Sequence, residues 1–515
     1  MKELMLGNKA VARGLYEAGC GVISSYPGTP STEITEEAAK YPEIYCEWAP
    51  NEKVALEVAH GAAVGGKRAA CCMKHVGLNV AADPLFTISY QGVEAGLVIC
   101  VADDPGMFSS QNEQDSRHYA IAAKLPMLEP ASSQECLDFA KAAFELSEEY
   151  DTPVLLRLCT RISHSQSIVE TGERADIPRK PYVKDGAKYI MMPGNAIRRH
   201  PIVEERTKKL AQLAENCPFN RVEMGGTDLG IITSGTCYQY VKEVFGDSVS
   251  VLKLGMLNPM PEKLIRDFAA KVKRLVVVEE LDGVIETHVR TLGLSVEGKE
   301  LFTPLGEYSQ KTIAQVFGLT PKAHLSIETP IPARPPMMCA GCPHRGMYYV
   351  LAKNKCTAIG DIGCYTLGAL PPFKALSSCV DMGASITMAK GAADAGLFPA
   401  IAVIGDSTFT HSGMTGLLDA VNDKSNITVI ISDNLTTGMT GGQDSAGTNK
   451  FEAICIGLGV EPEHVRVVVP LPKNMEEITR TIREEIEYNG VSVIIPRREC
   501  IQTAARHAKE RKAKG

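Results

Sequence analysis

Short apolar runs alternate with stretches of helical spacing along nearly the whole chain. Residues 8–18 carry apolar positions at helical intervals, and 21–25 read as a short strand. The loop Tyr26-Pro-Gly-Thr-Pro-Ser-Thr32 then opens a helix, with Pro30, Ser31, Thr32 and Glu33 as start signals. A strand ends near Trp48, and a small-residue helix is predicted over 52–63. Further strands are predicted at 69–73, 96–102 and 152–158. Strands separated by helices imply a parallel sheet, so 1–165 reads as one α/β domain. Residues 166–225 are more polar and predict a connecting segment with some helix, its charges (Arg198, Arg199, Lys208, Lys209) scattered. A small α/β domain is predicted over 226–325, with strands at 229–235, 249–254 and 274–279. A Pro-rich linker covers 326–336. The last domain, 337–515, is again α/β.

That last domain carries the most informative pattern. A buried strand at 399–404 ends in Gly405-Asp406-Ser407. A helix at 412–421 follows, and then a second apolar strand at 427–431 ends in Asp433-Asn434. In parallel α/β sheets, ligands bind beyond the carboxyl ends of the strands. Two neighbouring strand ends would therefore bring the Asp406 carboxylate and the Asn434 amide oxygen to one point. Hard oxygens suit Mg²⁺, which keeps positions for phosphate oxygens and water. Gly405 would let the backbone approach a diphosphate closely. This is similar to the Gly-Asp…Asn signature that holds Mg²⁺ and thiamine diphosphate.

A thiamine enzyme also needs a carboxyl group that shares a proton with the aminopyrimidine N1′. Glu52 fits, at the point where a strand turns into a helix with apolar neighbours. A glutamate favoured by the helix dipole is the plainer reading of the same residue, and Glu57 is the second choice.

Composition narrows the class. The chain has 515 residues, net charge −7 and 44 % hydrophobic residues, ordinary for a multi-domain globular protein. The basic run Lys509–Lys514 lies at the extreme C-terminus, and no basic patch suits nucleic acid. No apolar run reaches the ~18 residues of a membrane span, and the N-terminus passes straight into a helical pattern with no signal peptide. The 16 cysteines lie largely in apolar contexts, which implies a reducing cytoplasm.

These segments together carry a family resemblance. They are the Tyr26–Thr32 loop, Asn51-Glu52-Lys53, the stretch from Met73 through Lys74, His75 and Asn79 to Pro84, and Ala102–Gly106 with Ser109–Asp115. In the last domain they are Cys339-Ala-Gly-Cys-Pro-His-Arg345, Gly360-Asp-Ile-Gly-Cys-Tyr-Thr366, Gly405–Phe409 and Asp433–Thr440. In order and spacing the chain resembles the large thiamine-binding subunit of indolepyruvate ferredoxin oxidoreductase, in the 2-oxoacid:ferredoxin oxidoreductase superfamily. The resemblance implies two parallel-sheet thiamine-diphosphate-binding domains around a transketolase-C-like α/β domain: pyrimidine-binding at 1–165 and diphosphate-binding at 337–515. It places Glu52 at the N1′-activating glutamate. Asp406, Asn434 and the Thr436 carbonyl fall at the metal ligands, and Thr29 and His75 lie beside the substrate. It further implies that Cys339, Gly341, Cys342, His344, Gly363, Gly405, Ser407, Gly438 and Met439 line the cofactor. The Cys339-x-x-Cys342 pair alone also fits a redox dithiol or half of a metal site.

The implied reaction is oxidative decarboxylation of an aryl 2-oxoacid such as indolepyruvate to the acyl-CoA, with thiamine diphosphate, Mg²⁺ and coenzyme A. Implied partners are a smaller oxidoreductase subunit and an Fe–S or flavin electron carrier, around a homodimer of this chain. Relatives usually end in a cysteine-rich ferredoxin-like tail, whereas the end of this chain, 494–515, carries a single cysteine, Cys500. The expectation is therefore that this chain holds no Fe–S cluster. A non-oxidative thiamine decarboxylase or carboligase, and a non-catalytic assembly protein on the same fold, are the alternatives.

Overall fold

The apolar runs become strands, and strand order decides where chemistry collects. The computed structural model describes residues 1–321, 329–332, 336–356 and 358–514. It divides into two compact units, 1–326 and 327–515.

In the first unit, the N-terminus forms a strand before the predicted helix: β1 (Lys2–Leu6) pairs antiparallel with β8 (Gln166–Glu170). Its alternation of exposed and buried positions is too short to separate from a helix start. The strands β2 (Val22–Ser25), β3 (Tyr45–Trp48), β4 (Ala69–Lys74), β5 (Leu97–Asp103), β6 (Met127–Leu128) and β7 (Val154–Cys159) make one sheet. Its order is β12-β6-β7-β5-β4-β2-β3, and the end strand β12 (Met256–Asn258) is antiparallel to β6. A second sheet has the order β13-β10-β11-β9, from β9 (Arg221–Glu223), β10 (Leu229–Ser234), β11 (Ser250–Leu254) and β13 (Arg274–Val278). β9 belongs to the segment read as a connector and β12 to the small α/β region, so both cross the boundaries drawn on the sequence.

The 166–225 segment is also more regular than its polarity suggests. It holds a helix, Pro193–Asn216. Arg199 and Arg206 on it are buried. Arg199 Nε donates to Tyr90 O at 2.7 Å and Nη2 to Gln91 O at 3.0 Å, satisfying carbonyls at the end of the helix Ala82–Gln91. Of the charges read as scattered, Arg199 is therefore structural, while Arg198, Lys208 and Lys209 are exposed.

The second unit is one all-parallel sheet of order β15-β14-β16-β17-β19-β18. Its strands are β14 (Ala358–Ile359), β15 (Leu376–Ser378), β16 (Ile401–Gly405), β17 (Ile427–Ser432), β18 (Val465–Val468) and β19 (Val491–Pro496). β16, β17 and β19 are buried along their whole length, as expected for strands covered on both faces. Residues 326–328 and 333–335 of the Pro-rich linker lie outside the described residues.

In each unit one pair of neighbouring strands feeds connections running in opposite directions. The chain leaves β2 towards β3 and leaves β4 towards β5, and β2 and β4 are neighbours. Likewise it leaves β14 towards β15 and β16 towards β17, with β14 beside β16. Such switch points open a crevice at the carboxyl ends of the strands.

Candidate active site

The crevice of the second unit is built around Asp406. β16 ends at Gly405, and Asp406 opens a short helical turn that passes into a π-helical turn, Phe409–Gly413. Such turns recur at functional sites. Asp406 is 4 % exposed, and neighbouring β17 delivers Asn434 at 5 %. Asp406 Oδ2 and Asn434 Oδ1 both accept from the Thr436 backbone N–H, at 3.0 and 3.3 Å. That shared donor shows that the two oxygens converge. Asp406 Oδ1 accepts from Ser407 N at 2.8 Å. No Lys or Arg pairs with Asp406 among the described residues; burial, with Asp433 close by, pushes its carboxyl up to about 8. Asp433 itself is paired with Arg497 at 2.5 Å. A buried carboxylate with a converging amide oxygen and no side-chain cation is the donor chemistry of a hard divalent ion.

His344, which opens the helix His344–Lys353, fixes the amide. Its Nε2 lies 3.3 Å from Asn434 Nδ2, and burial lowers its value to about 4. A neutral ring accepts from the amide N–H₂ and leaves Oδ1 turned to Asp406.

Tyr365 ties the two sides of this crevice together. Its Oη donates to Ile362 O at 2.7 Å and meets Thr408 Oγ1 at 2.9 Å. A Cβ on Gly405 would fall 2.3 Å from the Tyr365 ring, and one on Gly363 2.4 Å. Both glycines are required by this ring, where the sequence reading assigned Gly405 to cofactor approach. Asp361, at the end of β14, accepts from the Gly383 and Ser385 N–H groups and so holds the start of the helix Ala384–Asp394. Nothing in the sequence singled it out. Ser407 is buried in the Asp406 turn, and Met439 is 60 % exposed.

Four cysteines gather at the same place. Cys500 N donates to Asn434 O at 3.0 Å, which stitches the 497–500 segment to the Asn434 turn. A Cβ on Gly438 would stand 3.3 Å from Cys364 Sγ and 3.5 Å from Asn434 Nδ2. The Cys364 thiol is pushed up to about 12 by burial first, then by Cys342, Cys500 and Cys339 and by Asp406. Cys342 is raised by burial and feels Cys339 and Cys500. Gly341, between the first two, has φ +78, the left-handed region that favours glycine. Gln502 Nε2 lies 3.8 Å from Cys339 Sγ. No three of these sulfurs fall within 4.8 Å of one another among the described residues. A tetrahedral zinc ion would hold them about 3.8 Å apart.

The first unit's crevice holds the other predicted residues. Asn51 caps the helix Glu52–Val64 by accepting from Val54 N at 2.9 Å. Glu52 lies on that helix's buried face with Ala55, Leu56, Ala59 and Ala63, and is 5 % exposed. Glu57 is exposed and paired with Lys53, which leaves Glu52 as the crevice carboxyl. The Glu52 carboxyl rests on Gly77, where a Cβ would lie 2.5 Å from Oε1. Thr29 is half-buried in the loop after β2. Lys74 ends β4 and His75 opens the helix His75–Val80, and burial lowers the values of both. His75 Nε2 meets Asn112 O at 3.3 Å.

Comparisons with known proteins agree with this layout. Residues 13–223 match the family described as pyruvate flavodoxin/ferredoxin oxidoreductase, thiamine diP-bdg. Residues 361–495 match the thiamine pyrophosphate enzyme C-terminal TPP-binding domain. The chain is 40 % identical to the indolepyruvate oxidoreductase subunit IorA of Archaeoglobus fulgidus, over 97 % of this chain and 86 % of that protein. It is 42 % identical to the IorA of Methanothermobacter marburgensis, over 96 % and 86 %. A 2-oxoglutarate:ferredoxin oxidoreductase from Magnetococcus marinus shares the fold with a TM-score of 0.53 at 19 % identity, covering 62 % of this chain and 65 % of that one. No described helix is long and apolar enough to cross a membrane.

Proposed function

The chain belongs to the family of indolepyruvate oxidoreductase IorA subunits, and from that premise we propose that it carries the thiamine-diphosphate- and Mg²⁺-dependent oxidative decarboxylation of an aryl 2-oxoacid to its acyl-CoA. The observation that carries the reading is the convergence of the Asp406 and Asn434 oxygens on one N–H in a buried crevice without a side-chain cation. Asp406, Asn434 and the Thr436 carbonyl would hold the ion that neutralises a diphosphate. Thiamine diphosphate, when bound, supplies the carbanion chemistry. Glu52, buried at a helix start, would share a proton with the aminopyrimidine. Thr29 and His75 would line the substrate side, and Gly438, Ser407 and His344 the diphosphate side.

The expectation that this chain holds no cluster is the part we revise. Cys339, Cys342, Cys364 and Cys500 would hold an Fe–S cluster beside the Asn434 turn, supplying one-electron redox capacity. The support for that assignment is that Cys342, Cys500 and Cys339 all stand near enough to Cys364 to raise its thiol. A smaller partner subunit would take the electrons onward or complete the substrate pocket. A cytoplasmic setting suits free thiols.

The test is turnover of anaerobically prepared enzyme, with and without its co-purifying partner. Indolepyruvate or phenylpyruvate is offered with CoA, Mg²⁺, thiamine diphosphate and a viologen dye. CoA-dependent dye reduction is the expected result. Release of CO₂ and aldehyde without dye reduction would favour the non-oxidative decarboxylase. Iron and sulfide content near four each per chain, lost in Cys364→Ser, would support the cluster; an iron-free, active enzyme would remove it.

A further inference from the structure

We propose that Lys74 recognises the carboxylate of the 2-oxoacid, an inference that rests on the decarboxylation reading above. Lys74 ends β4 at the switch point where β2 and β4 diverge. It borders the loop that carries Thr29: a Cβ on Gly28 would lie 3.0 Å from Lys74 Cγ. The residue is only 9 % exposed. A buried ammonium ordinarily has an anionic partner, because desolvation of an unpaired charge is costly. Among the described residues none forms a salt bridge with Lys74.

Its present contacts are neutral. Nζ donates to Ser109 O at 2.7 Å and to Ser110 Oγ at 2.9 Å. An ammonium has three donors, so one remains. The carboxylates whose charge acts on Lys74 are Asp104 and Glu52, and among the described residues neither forms a salt bridge with it. Asp104 accepts from Ser109 N at 2.8 Å, Ser110 Oγ at 2.6 Å and Thr160 Oγ1 at 2.7 Å. Glu52 rests on Gly77. Asp104 thus fixes the serine pair, and the pair fixes the ammonium. Burial brings the Lys74 value down to about 8, with Asp104 and Glu52 opposing that shift. The ammonium therefore remains charged at neutral pH and is stabilised further by any anion that enters the crevice. A 2-oxoacid brings one anionic group next to its reacting carbonyl. A held cation beside the Thr29 loop would orient that group and select the acid over neutral carbonyl compounds. The same cation meets no counter-charge from an aldehyde.

The test uses the enzyme with its co-purified partner, thiamine diphosphate and Mg²⁺, as wild type, Lys74→Gln and Lys74→Arg. Calorimetry compares indole-3-propionate with its neutral amide, indole-3-propanamide. The wild type is expected to prefer the carboxylate by about 10–100-fold. Lys74→Gln should lose that preference while binding the amide as before, and Lys74→Arg should keep part of it. Equal preference in wild type and Lys74→Gln, or none in the wild type, overturns the proposal and leaves Lys74 a tie for the serine loop. If the Gln variant does not fold, wild-type enzyme still decides. Propionate but not the amide should protect Lys74 from acetylation, read by mass spectrometry, and equal labelling overturns the proposal. Turnover separates this from the parent reading. With Lys74→Gln, the KM for indolepyruvate should rise about 10–100-fold while oxidation of indole-3-acetaldehyde persists. A wild type that binds the carboxylate through Lys74 but turns over no 2-oxoacid would sink the proposed reaction alone.

Discussion

The crevice between β2 and β4 and the crevice between β14 and β16 arise from the same topology, yet their charges are arranged in opposite ways. In the first, the buried cation Lys74 is held by serines and nearby Asp104 has its own donors. In the second, the buried Asp406 carboxyl accepts from the Ser407 and Thr436 backbone N–H groups, has an amide oxygen beside it and pairs with no Lys or Arg among the described residues. On the proposed reading, one crevice receives an anion and the other a cation. A strand switch point thus provides a place, and the residues at the strand ends decide what the place attracts.

The sharpest way to break this comparison is to remove the carboxyl that a bound cation would ionise. Asp406→Asn keeps the shape and removes the charge. Affinity for thiamine diphosphate and Mg²⁺, followed by calorimetry, should fall by at least about 100-fold, with turnover near background. The same variant should change stability with the opposite sign. The folded carboxyl titrates at about 8, above its ordinary 3.8. Without a cation, ionisation therefore favours the unfolded chain. Stability is highest below pH 4 as far as this group is concerned and falls as pH rises towards 8, by on the order of a few kcal/mol in total. Melting of cofactor-free wild type should fall across that window, and Mg²⁺ with thiamine diphosphate should restore it. Cofactor-free Asp406→Asn should lose this limb. A wild type as stable at pH 8 as at pH 5 would show that Asp406 is not the unpaired buried carboxyl described here.

A second comparison sets two glycines against each other. Gly405→Ala places a methyl 2.3 Å from the Tyr365 ring, which is locked by two hydrogen bonds. The expected cost is about 1–3 kcal/mol of stability, read by thermal melting. Gly77→Ala places one 2.5 Å from the Glu52 carboxyl, the far end of a side chain that can move. It should leave the melting temperature within a few degrees. Its effect on kcat should be on the order of 100-fold, because Glu52 is displaced. A Gly77→Ala enzyme of full activity would remove Glu52 from the chemistry.

How much of this was legible along the chain follows from the range of each contact. The runs that became β16 and β17 are bounded by Gly-Asp and Asp-Asn, so sequence pattern alone placed Asp406 and Asn434 at neighbouring strand ends. Glu52 was legible for a local reason too, its place where a strand turns into a helix with apolar neighbours, and the structure adds that it is buried. Contacts between distant segments were not. β1 pairs with a strand some 165 residues away, β12 joins the sheet of another segment, and Tyr365 explains two glycines assigned to a ligand. The gathering of Cys500 with Cys339, Cys342 and Cys364 depends on the stitch of 497–500 to the Asn434 turn. Local spacing has no means of announcing it.

His344 gives the smallest and most specific prediction, because it acts through another residue. It lies 90 positions from Asn434 in the chain, and its ring accepts from that amide only while neutral. Burial keeps the ring neutral down to about pH 4, so no loss of metal affinity should appear between pH 5 and 7 on its account. His344→Phe removes the acceptor and leaves a buried N–H₂ without a partner. The amide can then turn its nitrogen to Asp406, exchanging an oxygen donor for two protons facing the ion. Mg²⁺ affinity in the presence of thiamine diphosphate should fall about tenfold, in the range seen when a ligand loses its supporting hydrogen bond. His344→Gln, which keeps an acceptor oxygen, should recover most of it. Equal losses in the two variants would mean that the ring fills space and does not orient Asn434. The cation-seeking character of this crevice would then rest on Asp406 alone.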